Sequence, residues 1–207
     1  MSYSDPASAQ DIERTIAALA PRGITAELVA TKGQALARLR ELIPPGASVN
    51  TGASLSLREI GFEEMLISKN HPWHNLKDQI VAEKDPARAT VLRRQGTMAD
   101  YFLGSVHAVA RTGQLVIASM TGSQLPAYAF SAGHVIWVVG VQKITADLED
   151  AIRRVREYVL PHEDRRMRES SGGKMGSMIG KLLVFEQEAA FLGRSLRMLL
   201  VNEVVGD

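Results

Sequence analysis

Apolar positions along the chain recur at two spacings, three-to-four and two, and the alternation between them predicts helices interleaved with strands. Ile12, Ile16 and Leu19 share one face of a first helix, which Ser8 can cap with Asp11 three residues on. Pro21-Arg22-Gly23 breaks it, and Ile24, Ala26, Leu28 and Ala30 line one face of a strand. Thr31 caps a second helix with the stripe Leu36, Leu39, Leu42 and Ile43, and Pro44-Pro45-Gly46 ends it. A short strand over 47–51 runs into Gly52-Ala53-Ser54, and a helix follows through Leu57, Ile60 and Met65. Strand, small polar turn and helix are the opening of a doubly wound unit.

Residues 69–80 are polar and aromatic and read as a loop. Asp85-Pro86 starts a further helix, with Val91, Leu92 and Met98 on its inner side. Two β-rich arms, 101–111 and 115–120, flank Thr112-Gly113-Gln114 and predict a hairpin. Thr121-Gly122-Ser123 is a second small polar turn before a short helix over 124–131. Residues 134–141 are almost continuously apolar, as in a strand covered on both faces. Thr145 is expected to cap the clearest helix, which buries Leu148, Ala151, Ile152, Val155 and Val159 and closes at Pro161. The stretch 161–180, rich in Gly, Ser and Met, reads as a mobile loop, and strands over 182–185 and 196–201 follow it. The expected architecture is one α/β domain over 1–207 that begins with a helix inside 1–22. Its sheet is Rossmann-like, three-layered with helices on both faces, and mainly parallel with a β-hairpin insertion.

Composition narrows the function classes. Apolar residues are 45% and charged residues 23%, which excludes a disordered chain, and a net charge of +1 supplies no field for nucleic acid. There is no cysteine. Disulfides, thiolate metal sites, cysteine-ligated iron–sulfur clusters and a cysteine nucleophile are therefore excluded from these residues. The first residues lack the basic and apolar regions of a signal peptide. The run 135–141 is far below the roughly 20 residues of a membrane span. A cytoplasmic protein is expected.

Candidate chemistry gathers at the two small turns. A Gly/Ser turn between strand and helix presents N–H groups to an anion, which makes Gly52 and Ser54 candidate ligand-binding residues. Ser54 or Ser56 serves equally well as a simple helix cap. Thr121, Gly122 and Ser123 form the second candidate cradle, with an ordinary capped turn as the alternative. Lys143 follows an apolar strand, where strand ends of an open α/β sheet line a crevice, and can neutralise an acidic substrate there. A surface lysine is the competing reading. Glu59 is the candidate catalytic carboxylate, one turn from the crevice, against a solvated helix glutamate.

Of the five histidines, His71 and His74 flank Trp73, but Pro72 breaks the helix that a metal pair would need, so no metal site is expected. No G-x-S-x-G elbow is present, and Gly172-Gly173-Lys174-Met175 lacks the hydroxyl and the preceding strand of a P-loop. The arginines from 153 to 168 are interleaved with acids and read as a solvated face.

The order of these motifs resembles the LUD-domain (lactate-utilisation) family. The matching stretches are Gly52-Ala53-Ser54 through Leu57-Arg58-Glu59-Ile60-Gly61, Ala99-Asp100, and Ala108-Val109-Ala110-Arg111-Thr112-Gly113-Gln114. Two more are Val135-Ile136-Trp137-Val138-Val139-Gly140 through Lys143 with 147–158, and the closing Leu200-Val201-Asn202-Glu203. The resemblance covers roughly 30–207. It implies a fold like that of sugar-phosphate isomerases, CoA transferases and formyltetrahydrofolate cyclo-ligase. It also implies an accessory subunit or small enzyme in organic-acid oxidation that binds an anionic small molecule. The alternatives are a free-standing enzyme on a phosphorylated or CoA-type substrate, or a non-catalytic interaction module. Two departures matter: Arg111 stands where many members carry an acid, and the cysteine-rich segment of some members is replaced by 170–180. No cofactor is expected on this chain, and an iron–sulfur cluster or flavin would belong to a partner subunit. Self-association as a homo-oligomer is compatible with this reading.

Overall fold

Strand β7, His134–Gly140, is central in the computed structural model, which describes residues 2–207. Two strands lie on one side of it and three on the other in a six-stranded sheet. The order is β1 (Ile24–Val29), β10 (Ser195–Val201), β7, β4 (Tyr101–Gly104), β2 (Ser48–Thr51) and β3 (His74–Asn75). Every neighbouring pair is parallel. A parallel strand buried on both faces needs apolar residues at every position, and Val135 to Val139 meets that need.

The alternation of side chains along the strands separates two cores. Ile136 and Val138 of β7 pack with Val49, Leu103, Leu199 and Val201 against α2 (Lys32–Leu42), α3 (Leu55–Glu59) and α4 (Phe62–Ile67). Val135, Trp137 and Val139 point the other way, with Phe102 and Met198. That face is covered by α1 (Ala9–Leu19) and by a second sheet, not by helices alone. The predicted hairpin, β5 (Ala108–Ala110) and β6 (Leu115–Ser119), is the middle of that four-stranded sheet. β8 (Ile144–Thr145) and β9 (Lys181–Phe185) are its edges. Its outer face carries α7 (Leu148–Arg154), through Ala108 and Val116 against Ala151 and Val155.

Several local expectations are corrected. The 101–111 arm is two strands in two sheets, because the chain turns at Gly104-Ser105; a Cβ at Gly104 would overlap the Tyr128 hydroxyl. Residues 69–80 are not all loop: β3 and the start of α5 (Leu76–Ala82), capped by Asn75, lie inside them. Helix α6 (Pro86–Gln95) packs through Ala89, while Val91 and Met98 are exposed. α7 is capped by Asp147, whose carboxylate accepts the Asp150 N–H at 2.9 Å. Thr145 instead donates its hydroxyl to the Val109 and Asp147 carbonyls. The helix does not close at Pro161. A wide π-type turn over Val155–Val159 gives the proline ring room, and α8 runs on from Leu160 to Ser170. The expected loop is thus helical as far as Ser170.

Asp147→Ala should lower unfolding stability by about 1 kcal/mol in urea titration, and Asp147→Asn by much less. Equal losses for both would count against the cap.

Candidate functional site

The C-terminal ends of β2, β4, β6 and β7 deliver four segments to one cleft of about 560 Å³. This is where an open α/β sheet places a ligand. Ser54 and Ser56 come from the start of α3, Ser105 from the end of β4, Thr121 and Ser123 from the turn after β6, and Lys143 from the turn after β7. α8 closes the far wall with Leu160, Glu163, Arg166 and Met167. Gly52 packs against the Gln124 side chain, whose Cβ would lie only 3.3 Å from a Cβ added at Gly52, so the two small turns do meet.

The turns themselves are less open than their composition suggests. Ser54 Oγ accepts the Leu57 N–H at 3.3 Å and is the helix cap. The Gly122 N–H donates to Ser119 Oγ at 2.8 Å, and the Ser123 N–H to Thr121 Oγ1 at 3.3 Å. Gly122 has φ 84° and lies against the Lys181 stem, a conformation and a close approach that suit glycine at this turn. Glu59 is not on the cleft wall. Its carboxylate accepts the Gly206 N–H at 3.1 Å and pairs with Lys32 at 3.4 Å. It therefore fastens the segment after β10 and contributes field, not contact.

Lys143 is the centre of the site. It is 3% exposed, and its ammonium donates to Ser56 Oγ at 3.2 Å and to Ser105 Oγ at 3.4 Å. Burial pushes its pKa down to about 7, and the Arg154 cation pushes the same way against Asp207 and Glu59. Arg154 is fully buried in α7. Its guanidinium donates to the carbonyls of His107 at 2.6 Å and Tyr3 at 3.2 Å, and it lies 5.0 Å from the Tyr158 ring centre. Nε finds no acceptor. Burial lowers the Arg154 pKa to about 10, so it stays charged at neutral pH.

His107, which feels both of these cations, is held neutral with its pKa down at about 3. Withdrawal from water is the main cause, and Lys143 and Arg154 add to it. Its Nδ1 accepts the Ala118 N–H at 3.1 Å, which leaves Nε2 as the protonated nitrogen. Burial raises the pKa of the Tyr128 phenol, and the nearby Ser105 backbone acts in the opposite direction.

Ser105, His107 and Tyr128 were not singled out by sequence reasoning, Ser56 was read only as a helix cap, and Arg154 was read as part of a solvated face, whereas it is fully buried. Ser105 carried a usable signal, a Gly-Ser pair at the end of a strand. Arg154 carried one as well, at helical spacing from Ala151. Among the described residues no cluster of His, Asp and Glu is arranged to hold a metal ion. His71 instead stacks on Trp73 at 5.4 Å. No described helix is long and apolar enough to cross a membrane.

A family model described as the LUD domain matches residues 12–177. The crystal structure of a DUF162 family protein from Deinococcus radiodurans is similar to this fold, with a TM-score of 0.55. The similarity covers 95% of this chain and 98% of that one at 11% sequence identity, which concerns the fold alone. No curated protein matches.

Proposed function

The chain belongs to the LUD-domain family, and from that premise we propose that its cleft binds the carboxylate of a small organic acid, of the hydroxy-acid kind handled in lactate utilisation. The protein acts in organic-acid oxidation as a subunit or small enzyme. With no cysteine in these residues, an iron–sulfur cluster, and with it a flavin, is assigned to a partner subunit. The observation that carries this reading is the buried Lys143 ammonium at the foot of the cleft, ringed by hydroxyls and backed by Arg154. A carboxylate there receives a charge-assisted bond from Lys143, and the serine hydroxyls donate to its second oxygen.

Because the free lysine titrates at about 7, binding an anion recruits a proton. Calorimetry with L-lactate in buffers of different ionisation enthalpy should report proton uptake at pH 7.5–8. Affinity should fall about tenfold per pH unit above that range, and Lys143→Met should abolish binding. Lactate and related hydroxy acids that fail to bind, or bind equally well to Lys143→Met, would sink the reading.

A further inference from the structure

Lys143 and two serines form a closed triangle that anion binding does not require. Lys143 Nζ is 3.2 Å from Ser56 Oγ and 3.4 Å from Ser105 Oγ, and the two hydroxyls are 3.2 Å apart. The three residues come from separate segments, at the start of α3, just past β4 and just past β7. All three face the cleft. No carboxylate completes the cluster: the two nearest acids act on the lysine only through their fields, and Glu59 is occupied by Lys32 and the Gly206 N–H. Burying a lysine among hydroxyls without a paired carboxylate costs stability. Such cost is characteristic of groups kept for chemistry.

From this geometry we infer that the cleft is a serine acyl-transfer centre for an ester or thioester of a small carboxylic acid, with Ser105 as nucleophile, Lys143 as general base and Ser56 as proton relay. Ser105 is the nucleophile because it is partly open to the cleft, whereas Ser56 is 1% exposed; each hydroxyl also has a backbone carbonyl in reach, Val106 at 3.3 Å for Ser105 and Val205 at 3.4 Å for Ser56. The strand end that carries Ser105 packs against the buried Tyr128 hydroxyl, which leaves no room for a Cβ at Gly104.

The steps balance without an external redox partner. Ser105 Oγ bonds to the acyl carbon while its proton passes to neutral Lys143 Nζ, directly or through Ser56. The tetrahedral adduct collapses, the bond from acyl carbon to the alkoxide or thiolate breaks, and the Lys143 ammonium returns the proton to that leaving group. Water then attacks the acyl-Ser105 ester and gives its proton to Lys143. Collapse of this second adduct frees Ser105, which takes the proton back, and the acid leaves as a carboxylate with release of its proton to solvent. The free base must be neutral, as burial and Arg154 keep much of Lys143 near pH 7. The charged groups around it are Arg154, Glu59 and Asp207, with neutral His107 beside them.

The inference goes beyond the anion reading, which stands without it. The test is treatment of the folded protein with a fluorophosphonate, followed by peptide mass mapping, and with p-nitrophenyl acetate for rates. The expected adduct is on Ser105, and its rate of formation rises through pH about 7 as one ionisation. Lys143→Met should slow it by roughly 10²–10⁴-fold, and Ser105→Ala should remove it. Ser56→Ala should slow it less than Lys143→Met does. An adduct on Ser56 or on Lys143, or none at all, overturns the assignment. The wild-type pH profile decides even if a variant fails to fold. Lactate calorimetry on the same preparation separates the two ideas: retained anion binding with no Ser105 adduct removes only acyl transfer.

Discussion

Arg194→Met is expected to lower the free energy of unfolding by about 3–5 kcal/mol, among the largest losses available to a single substitution here. Arg194 Nη1 pairs with Glu188 Oε2 at 2.9 Å, and both side chains are nearly buried, at 6% and 7% exposure. The same guanidinium donates to the carbonyls of Ala132 at 2.9 Å, Ala127 at 2.9 Å and Tyr128 at 3.0 Å. Removing it strands a buried carboxylate whose second oxygen is already without a partner. It also withdraws a charged donor from three carbonyls. Glu188→Gln keeps an acceptor for the guanidinium and should cost clearly less. Arg194→Met combined with Glu188→Leu should recover part of the loss, since a buried pair replaced by apolar residues of similar volume is often tolerated. Urea titration with a shared slope measures all three. A loss below about 1 kcal/mol for Arg194→Met would mean that Glu188 reaches water. The same arginine holds the turn that carries Tyr128, so the variant should also loosen the Ser105 end of the cleft.

That clamp was invisible in the sequence, where Glu188 and Arg194 read as ordinary charges beside a turn. The main sheet was legible because burial on both faces leaves its mark on every residue of Val135 to Val139. The strand–turn–helix at Gly52 and the strand end before Lys143 were legible for a related reason, since a parallel sheet has one ligand end. Helix boundaries were less so. Thr145 and Asp147 are both good caps, and only the approach of β8 to β5, which draws the Thr145 hydroxyl to Val109, decides between them. Pro161 signals a stop unless the preceding turn widens, and a single wide turn has no periodicity of its own. The triangle at the site was hidden because Ser56, Ser105 and Lys143 are far apart in the chain and each has an ordinary local explanation. Arg154 looked like its solvated neighbours Arg153 and Arg156 until the fold turned it inward.

Lys143→Met should make the protein more stable near neutral pH while removing its chemistry. Folding takes Lys143 from an ordinary pKa of 10.5 to about 7. The unfolded chain therefore binds more protons than the folded one between those values, and stability attributable to this residue rises with pH across that window. Above about 10.5 the lysine is neutral in both states and imposes no penalty of ionisation. As pH falls through 7 the full penalty is reached, on the order of 5 kcal/mol from the displacement of the pKa. Methionine keeps the apolar stem and carries no charge, and the Ser56 and Ser105 hydroxyls can still bond to each other at 3.2 Å. The variant should gain roughly 2–4 kcal/mol at pH 6–7, shrinking towards zero by pH 10.5. Because other groups titrate too, the quantity to measure is the difference between wild type and variant in urea midpoints from pH 6 to 10. Parallel curves would show that the folded lysine keeps its ordinary pKa, which would remove the neutral base from the acyl-transfer proposal and the proton uptake from anion binding. Converging curves would show that the fold spends stability to hold an amine ready for proton transfer.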